Sequence, residues 1–304
     1  MKPPHSSLSS LTRRTGLLAA AGAVLSGCSG AQVLDKLVPD RGYTVRTGVA
    51  YGADPRQQLD VYLPATDGAM ATQGGPGGQG RKPPLIVFLY GGTWSHGRRE
   101  DYRFVGQALA ARGNVVLVAD RRLAPTVRYP AFVQDGAAVV RWAVDHTTEL
   151  GADPARTILM GHSSGAYDAA MLALDPRWLG AVGLQPRRIA AWIGMAGPYD
   201  FLPIGDPDAQ AAFDWPNTSP DSQPINHVTA QAPRTLLMVG MDDKLVDPRR
   251  NTLAMAEKLR AAGVDTTLHT YPTMGHVTLI SSVAAPLHWL GPVRDDLLAF
   301  IATV

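Results

Sequence analysis

Residues Gly161 to Gly165 read GHSSG, a serine with a glycine two positions to either side. A serine hydroxyl is a weak nucleophile near neutral pH. It attacks a carbonyl only when a base takes its proton and a carboxylate orients that base. Turns collect Gly and Ser, so the pentapeptide alone is a weak signal for a nucleophile at Ser163. The remaining parts follow in the order acid, then histidine: Asp243 within GMDDKLVDP and His276 within PTMGH. Asp242 is an adjacent rival, and Asp247 precedes Pro248, where a helix N-cap would serve as well. Among the eight histidines, His276 alone sits in a Gly-His turn just after the last predicted strand. His269 falls inside that strand and His288 lies too far beyond it. Gly91 and Gly92, in FLYGGTWSHG, would let a backbone approach a substrate oxygen, and with the Ser164 amide would make an oxyanion hole. The chemistry this set could do is acyl transfer through a serine.

Such residues need elements to hold them. The apolar runs PLIVFLY (Pro84 to Tyr90) and NVVLVAD (Asn114 to Asp120) read as strands covered on both faces, as in a parallel sheet. Further strands are expected at 43–50, 58–63, 156–160, 189–195, 234–240 and 266–271. Helices are expected at 102–112, 132–146, 164–174, 249–262 and 293–302. The alternation predicts one doubly wound α/β sheet with helices on both faces. Ser163 then falls between a strand and a helix, the setting of a nucleophile elbow. Asp243 and His276 fall at C-terminal strand ends, where such a sheet keeps its site. The proline-rich stretch 197–228 has no clear period and reads as an insertion or lid. The Gly-rich stretch 66–82 reads as a mobile surface loop.

The chain has 304 residues, of which 45% are apolar and 18% charged, enough for one large core. Residues 1–27 are set apart from it. A basic start (Lys2, Arg13, Arg14), a short apolar run and LSGC ending at Cys28 have the form of a secretory signal too short to span a bilayer. They resemble a bacterial lipoprotein signal, which implies cleavage before Cys28 and acylation of that cysteine, with residues 28–42 as a linker. TRRTGLL further resembles a twin-arginine export signal. Loss of 1–27 removes three basic residues and no acid, turning the formal charge of +2 into −1. The arginine pairs that remain are scattered and accompanied by acids, which gives no support to a nucleic-acid partner. Cys28 is the single cysteine, so no internal disulfide is available.

YGGTW resembles the HGGxW oxyanion motif of the esterase, arylformamidase and isoprenylcysteine methylesterase-like branch of the α/β-hydrolases. The likeness continues through ADRRLAPTVRYPAFVQDGAAVVRWAVDH, GADPARTILMGHSSGA, GPYDF and MVGMDD to YPTMGH, and covers roughly 43–303. It implies an α/β-hydrolase domain over 43–304 that cleaves small carboxylic esters. It places the acid on Asp243 rather than Asp242, and gives Asp135 a structural role. Arylformamidase or other amide hydrolysis is the alternative within the class. From another class, a non-catalytic surface module would keep the fold without the chemistry. The chain departs from the motif at Tyr90, where the family has histidine; a tyrosine could brace the loop through its hydroxyl. Tyr90, Trp94, Tyr199, Phe213 and Trp215 are candidate pocket residues, with core packing the competing role for Trp94. No metal-ligand spacing and no phosphate-binding glycine loop is present, so no cofactor is expected.

Overall fold

The computed structural model describes residues 38–65 and 81–304. Cys28, the signal segment and most of the Gly-rich stretch lie outside these described residues. Eight strands form one sheet in the order β1-β2-β4-β3-β5-β6-β7-β8. They are β1 (Tyr43–Ala50), β2 (Gln58–Pro64), β3 (Leu85–Leu89), β4 (Val115–Ala119), β5 (Thr157–His162), β6 (Ala191–Met195), β7 (Arg234–Gly240) and β8 (Thr266–Tyr271). β2 runs antiparallel to both β1 and β4, and every pairing from β4 to β8 is parallel.

Side-chain alternation explains why the central strands are apolar throughout. Leu85, Val87 and Leu89 point into one core, while Ile86, Phe88 and Tyr90 point into the other. β4 divides in the same way, with Val115, Leu117 and Ala119 on the first face and Val116 and Val118 on the second. Helices cover both faces. α2 (Ala131–His146) and α3 (Ser164–Leu174) close the first core; α1 (Arg103–Ala110) and α8 (Val293–Ala302) close the second. The edge strand β1 is mostly exposed and the edge strand β8 mostly half-buried, and their sequences are correspondingly more polar. Among the described residues, no helix is long and apolar enough to cross a membrane.

The expected doubly wound sheet is present, and the differences from the sequence reading are local. The helix expected over 249–262 begins as a π-helical turn (Arg249–Leu253) and continues as α6 (Ala254–Ala261). Three short helices were not anticipated: α4 (Pro176–Ala181), α5 (Pro207–Ala212) and α7 (His276–Ser281). Six residues span fewer than two turns, too few for a hydrophobic period to show. α5 lies in the proline-rich stretch between β6 and β7, which also holds 3₁₀ turns at Pro220–Ser222 and Pro224–His227.

Candidate active site

In a parallel sheet all C-terminal strand ends share one edge, and the chemistry-bearing residues gather there. β5 ends at His162 and α3 begins at Ser164, leaving Ser163 alone in the turn. Its backbone sits at φ 55°, ψ −126°, a left-handed conformation that a residue with a Cβ adopts only under strain. The neighbours hold it there. The Ser163 amide donates to the Met195 carbonyl of β6 at 2.9 Å. A Cβ on Gly161 would stand 2.2 Å from the Gly165 carbonyl oxygen, and one on Gly165 would stand 2.1 Å from the Leu89 carbonyl oxygen. Only glycine fits at either place. The turn aims Ser163 outward and leaves its side chain at the N-terminus of the eleven-residue α3, where the helix dipole favours negative charge.

The acid and the histidine are brought together by two loops that zip to each other. The Met241 amide donates to the Tyr271 carbonyl at 2.9 Å, and the Asp242 amide to the Met274 carbonyl at 3.0 Å. This alignment places Asp243 Oδ2 at 2.7 Å from His276 Nδ1. The other carboxylate oxygen, Oδ1, accepts the Leu245 and Val246 amides at 2.8 and 2.9 Å. Burial works to raise the Asp243 pKa, but the His276 bond and charge and these two amides outweigh it and hold the group below its ordinary value. The rivals are elsewhere. Asp242 is exposed, Asp247 caps the following turn through the Arg249 and Arg250 amides, and His269 stands 3.7 Å from Asp296. The sequence reading had His276 in a turn; it is the first residue of α7, with Gly275 as N-cap.

His276 lies against the elbow. Its ring centroid is 4.8 Å from that of His162, and its carbonyl accepts from His162 Nε2 at 3.2 Å. Burial first, then the neighbouring His276, pushes the His162 pKa down to about 3, so its ring stays neutral. Among the described residues Ser163 and His276 share no hydrogen bond; such contacts are often long in unliganded sites and tighten when substrate binds.

The loop after β3 crosses in front of Ser163. A Cβ on Gly91 would lie 2.9 Å from the Ser163 Cβ. The Gly91 amide faces the Tyr102 hydroxyl, whose pKa burial raises to about 12 against the opposing pull of that amide. Gly92 (φ 128°) and Thr93 (φ 50°) take left-handed turns, and among the described residues their amides meet no backbone carbonyl. Thr93 was not singled out from the sequence, since a β-branched residue carries no sign that its backbone will turn left-handed. Gly92, Thr93 and Ser164 thus keep amides without a backbone acceptor among the described residues, whereas the Gly91 amide meets the Tyr102 hydroxyl.

The pocket candidates separate on burial. Tyr90 and Tyr199 have no exposed surface, so neither lines an open pocket as expected. Tyr90 instead braces the loop: its hydroxyl donates to Asp120 Oδ1 at 2.8 Å and receives Arg56 Nη2 at 3.0 Å. Tyr199 packs edge-on against Trp192 in the core. Trp94 is 2% exposed, sends Nε1 to Asp168 Oδ1 at 3.0 Å and meets Phe213 at 4.7 Å between ring centroids, a packing role. Trp215, 39% exposed, is the one candidate with substantial open surface. Asp135 is buried and taken up by Arg122 and Gln57, with nothing left for chemistry. Arg121, Asp120 and Asp168 were missed. For Asp120 and Arg121 the signal was the position of an Asp-Arg-Arg run directly after a buried strand, where surface charge is out of place; Asp168, inside α3, had none. Among the described residues no group of three His, Cys, Asp or Glu side chains could hold a metal ion.

The BD-FAE family model matches residues 75–259, more than half of the chain, a span that holds Ser163 and Asp243 and stops short of His276. The chain belongs to the BD-FAE family. Among its relatives, esterase LipC of Mycobacterium tuberculosis is 29% identical over 240 residues, covering 73% of this chain and 56% of that protein. A probable isoprenylcysteine α-carbonyl methylesterase of Arabidopsis thaliana, ICMEL1, is 27% identical over 257 residues, covering 77% of this chain and 51% of the relative. The chain thus spans about half the length of these curated relatives. Esterase B from Lactobacillus rhamnosis superposes with a TM-score of 0.70 at 22% identity, over 94% of this chain and 96% of that one. The BD-FAE chain has the α/β-hydrolase fold, as the resemblance implied.

Proposed function

We propose that this protein is a serine carboxylic ester hydrolase acting on small esters. Ser163 Oγ attacks the ester carbonyl, and His276 Nε2 takes its proton and later returns it to the leaving alkoxide. Asp243 keeps the proton of His276 on Nδ1 and stabilises the imidazolium that forms. The amides of Gly92 and Ser164, with Thr93 beside them, receive the oxyanion. Water, activated by the same histidine, then releases the acid from Ser163. The observation that carries the reading is the strained backbone of Ser163 at a strand-to-helix turn. A residue of a plain N-cap has no need of φ 55°. The 2.7 Å Asp243–His276 pair beside that turn supports it, as do the esterase names of the relatives.

The test is hydrolysis of p-nitrophenyl esters of increasing acyl length by protein lacking residues 1–28, with Ser163→Ala alongside and fluorophosphonate labelling of both. Turnover and labelling that vanish together in the variant are expected. Folded protein with neither activity nor a labelled Ser163 would sink the proposal. We also propose, from the LSGC sequence alone, that Cys28 carries a lipid that anchors the domain to a membrane. Metabolic labelling with an alkyne fatty acid should mark the full chain and spare Cys28→Ser; equal labelling of both overturns it.

A further inference from the structure

Behind the site, in a place no substrate reaches, lies Arg121. It follows β4 by two residues and is 2% exposed. Its Nη1 donates to the Tyr90 carbonyl at 2.7 Å and its Nη2 to Ser164 Oγ at 2.9 Å. The guanidinium lies over the Tyr90 ring at 4.8 Å, and Nε stands 3.4 Å from Asp168 Oδ2 without forming a hydrogen bond. Tyr90 is the residue before Gly91-Gly92, and Ser164 is the residue after Ser163. One planar fork therefore grips the two chain segments whose amides face the proposed oxyanion, alongside the Trp94–Asp168 bond that also ties the loop to α3.

A guanidinium suits this task. Its donors are fixed in a plane and it remains charged at any working pH, whereas a lysine ammonium is a single point on a flexible stem. The charge also counts. Burial of an ion in low dielectric is costly unless it is matched, and Asp168 matches this one only at a distance and while also receiving Trp94 Nε1. A positive charge so placed is better satisfied when a negative charge appears on the carbonyl oxygen beside Ser164.

We infer that Arg121 is a positioning residue of the oxyanion site: it sets the separation of the Gly92 and Ser164 amides and biases that site toward negative charge. The inference rests on the serine hydrolase reading. It also explains how the loop tolerates tyrosine at position 90. The ring is clamped from one side by Arg121, and its hydroxyl is tied to Asp120, which Arg99 holds in turn with Nη1 to Oδ2 at 2.6 Å.

A purely structural Arg121 would serve only to neutralise Asp168, and Ser164→Ala separates the two roles. That variant keeps the Ser164 amide, Arg121 and Asp168, and removes only the tether. On p-nitrophenyl acetate we expect kcat to fall by about 10-fold with KM within about 2-fold, short of the roughly 10²–10³ that outright loss of a donor costs. Arg121→Lys should lower kcat further, and the double variant should be no worse than Arg121→Lys alone, since both cut the same link. Thermal melting establishes the folded fraction, so rates are compared per folded molecule. Wild-type kcat in Ser164→Ala overturns the inference, and this variant decides the matter even if Arg121→Lys does not fold. Losses that add in the double variant also overturn it. An inactive wild-type enzyme would instead mean failure of the hydrolase reading itself.

Discussion

Replacing Asp243 by asparagine would change one atom and should cost most of the activity. The carboxylate meets three donors: Oδ1 takes the Leu245 and Val246 amides, and Oδ2 takes His276 Nδ1–H. Asparagine has one oxygen to offer. Turning its NH₂ toward the two partly buried amides would leave both without acceptors, at up to about 3 kcal/mol each, a range that reaches roughly 6 kcal/mol together. The oxygen therefore stays with the amides and the NH₂ faces His276. That orientation demands a lone pair on Nδ1, so the ring proton moves to Nε2, where the base must be free to accept from Ser163. Reaching the active tautomer requires the flip just described. The upper part of that range matches the loss of about 10⁴ in kcat expected of such a change, which is about 5.4 kcal/mol at 1.36 kcal/mol per decade. The assay is p-nitrophenyl acetate hydrolysis per folded molecule, the fold being checked by thermal melting. Asp243→Asn activity within about 10-fold of wild type, with Ser163→Ala inactive, would refute the reasoning, because His276 would then not need Asp243 to choose its tautomer.

Ser163→Gly should be inactive yet more stable. It relieves a strain of about 1–3 kcal/mol and returns about 0.5–1 kcal/mol to the unfolded chain. The net gain of about 1 kcal/mol raises Tm by roughly 2–4 °C, whereas Ser163→Ala keeps the strain and should melt like wild type. An unchanged Tm in Ser163→Gly would show that the elbow is not strained. Two buried groups give opposed responses to acid. The pKa of His162, about 3 in the folded chain, lies below its unfolded value of roughly 6.5. Below pH 6.5 the unfolded chain binds a proton that the folded one refuses, so stability falls by up to about 1.4 kcal/mol per pH unit. Asp168 is pushed up to about 6 by burial, against the pull of Arg121 and the Trp94 bond. It takes its proton first in the folded state, so its contribution is lost as pH rises from about 3.9 to 6 and regained as pH falls. The two nearly cancel between about pH 4 and 6. Urea midpoints over that interval should therefore fall more steeply toward acid in Asp168→Asn and less steeply in His162→Gln. Parallel curves for the two variants and wild type would contradict both assignments.

Much of the sheet could be read from the chain because its signals are local. β7, β8, α3 and α8 have the limits expected from hydrophobic runs and periods, and β3 and β4 differ by one residue at each end. The elbow was visible because the pattern is contiguous and Gly161 is required by a contact within it, against Gly165, although Gly165 itself is required by the distant Leu89 carbonyl. What escaped had no local signal. α7 is too short to show a period, and its first residue, His276, read as part of a turn. Tyr90 at a strand end and Tyr199 in the proline-rich insertion looked like pocket residues because an aromatic gives no sign of which way it faces; both face the core. Arg121 belonged to an arginine pair that resembled scattered surface charge.

By itself the sequence determined the alternation of strand and helix, and with it the edge of the sheet on which Ser163, Asp243 and His276 had to lie. Parallel strands all end on one side, so three residues that each follow a strand must meet there. Only the tertiary structure decided which of them touch. The Asp243–His276 bond joins positions 33 apart, the Arg121–Ser164 bond positions 43 apart, and the Gly91 amide meets the Tyr102 hydroxyl 11 positions on. These depend on side-chain direction and on distances of a few tenths of an ångström, which the packing of the whole sheet sets and no short stretch of chain contains.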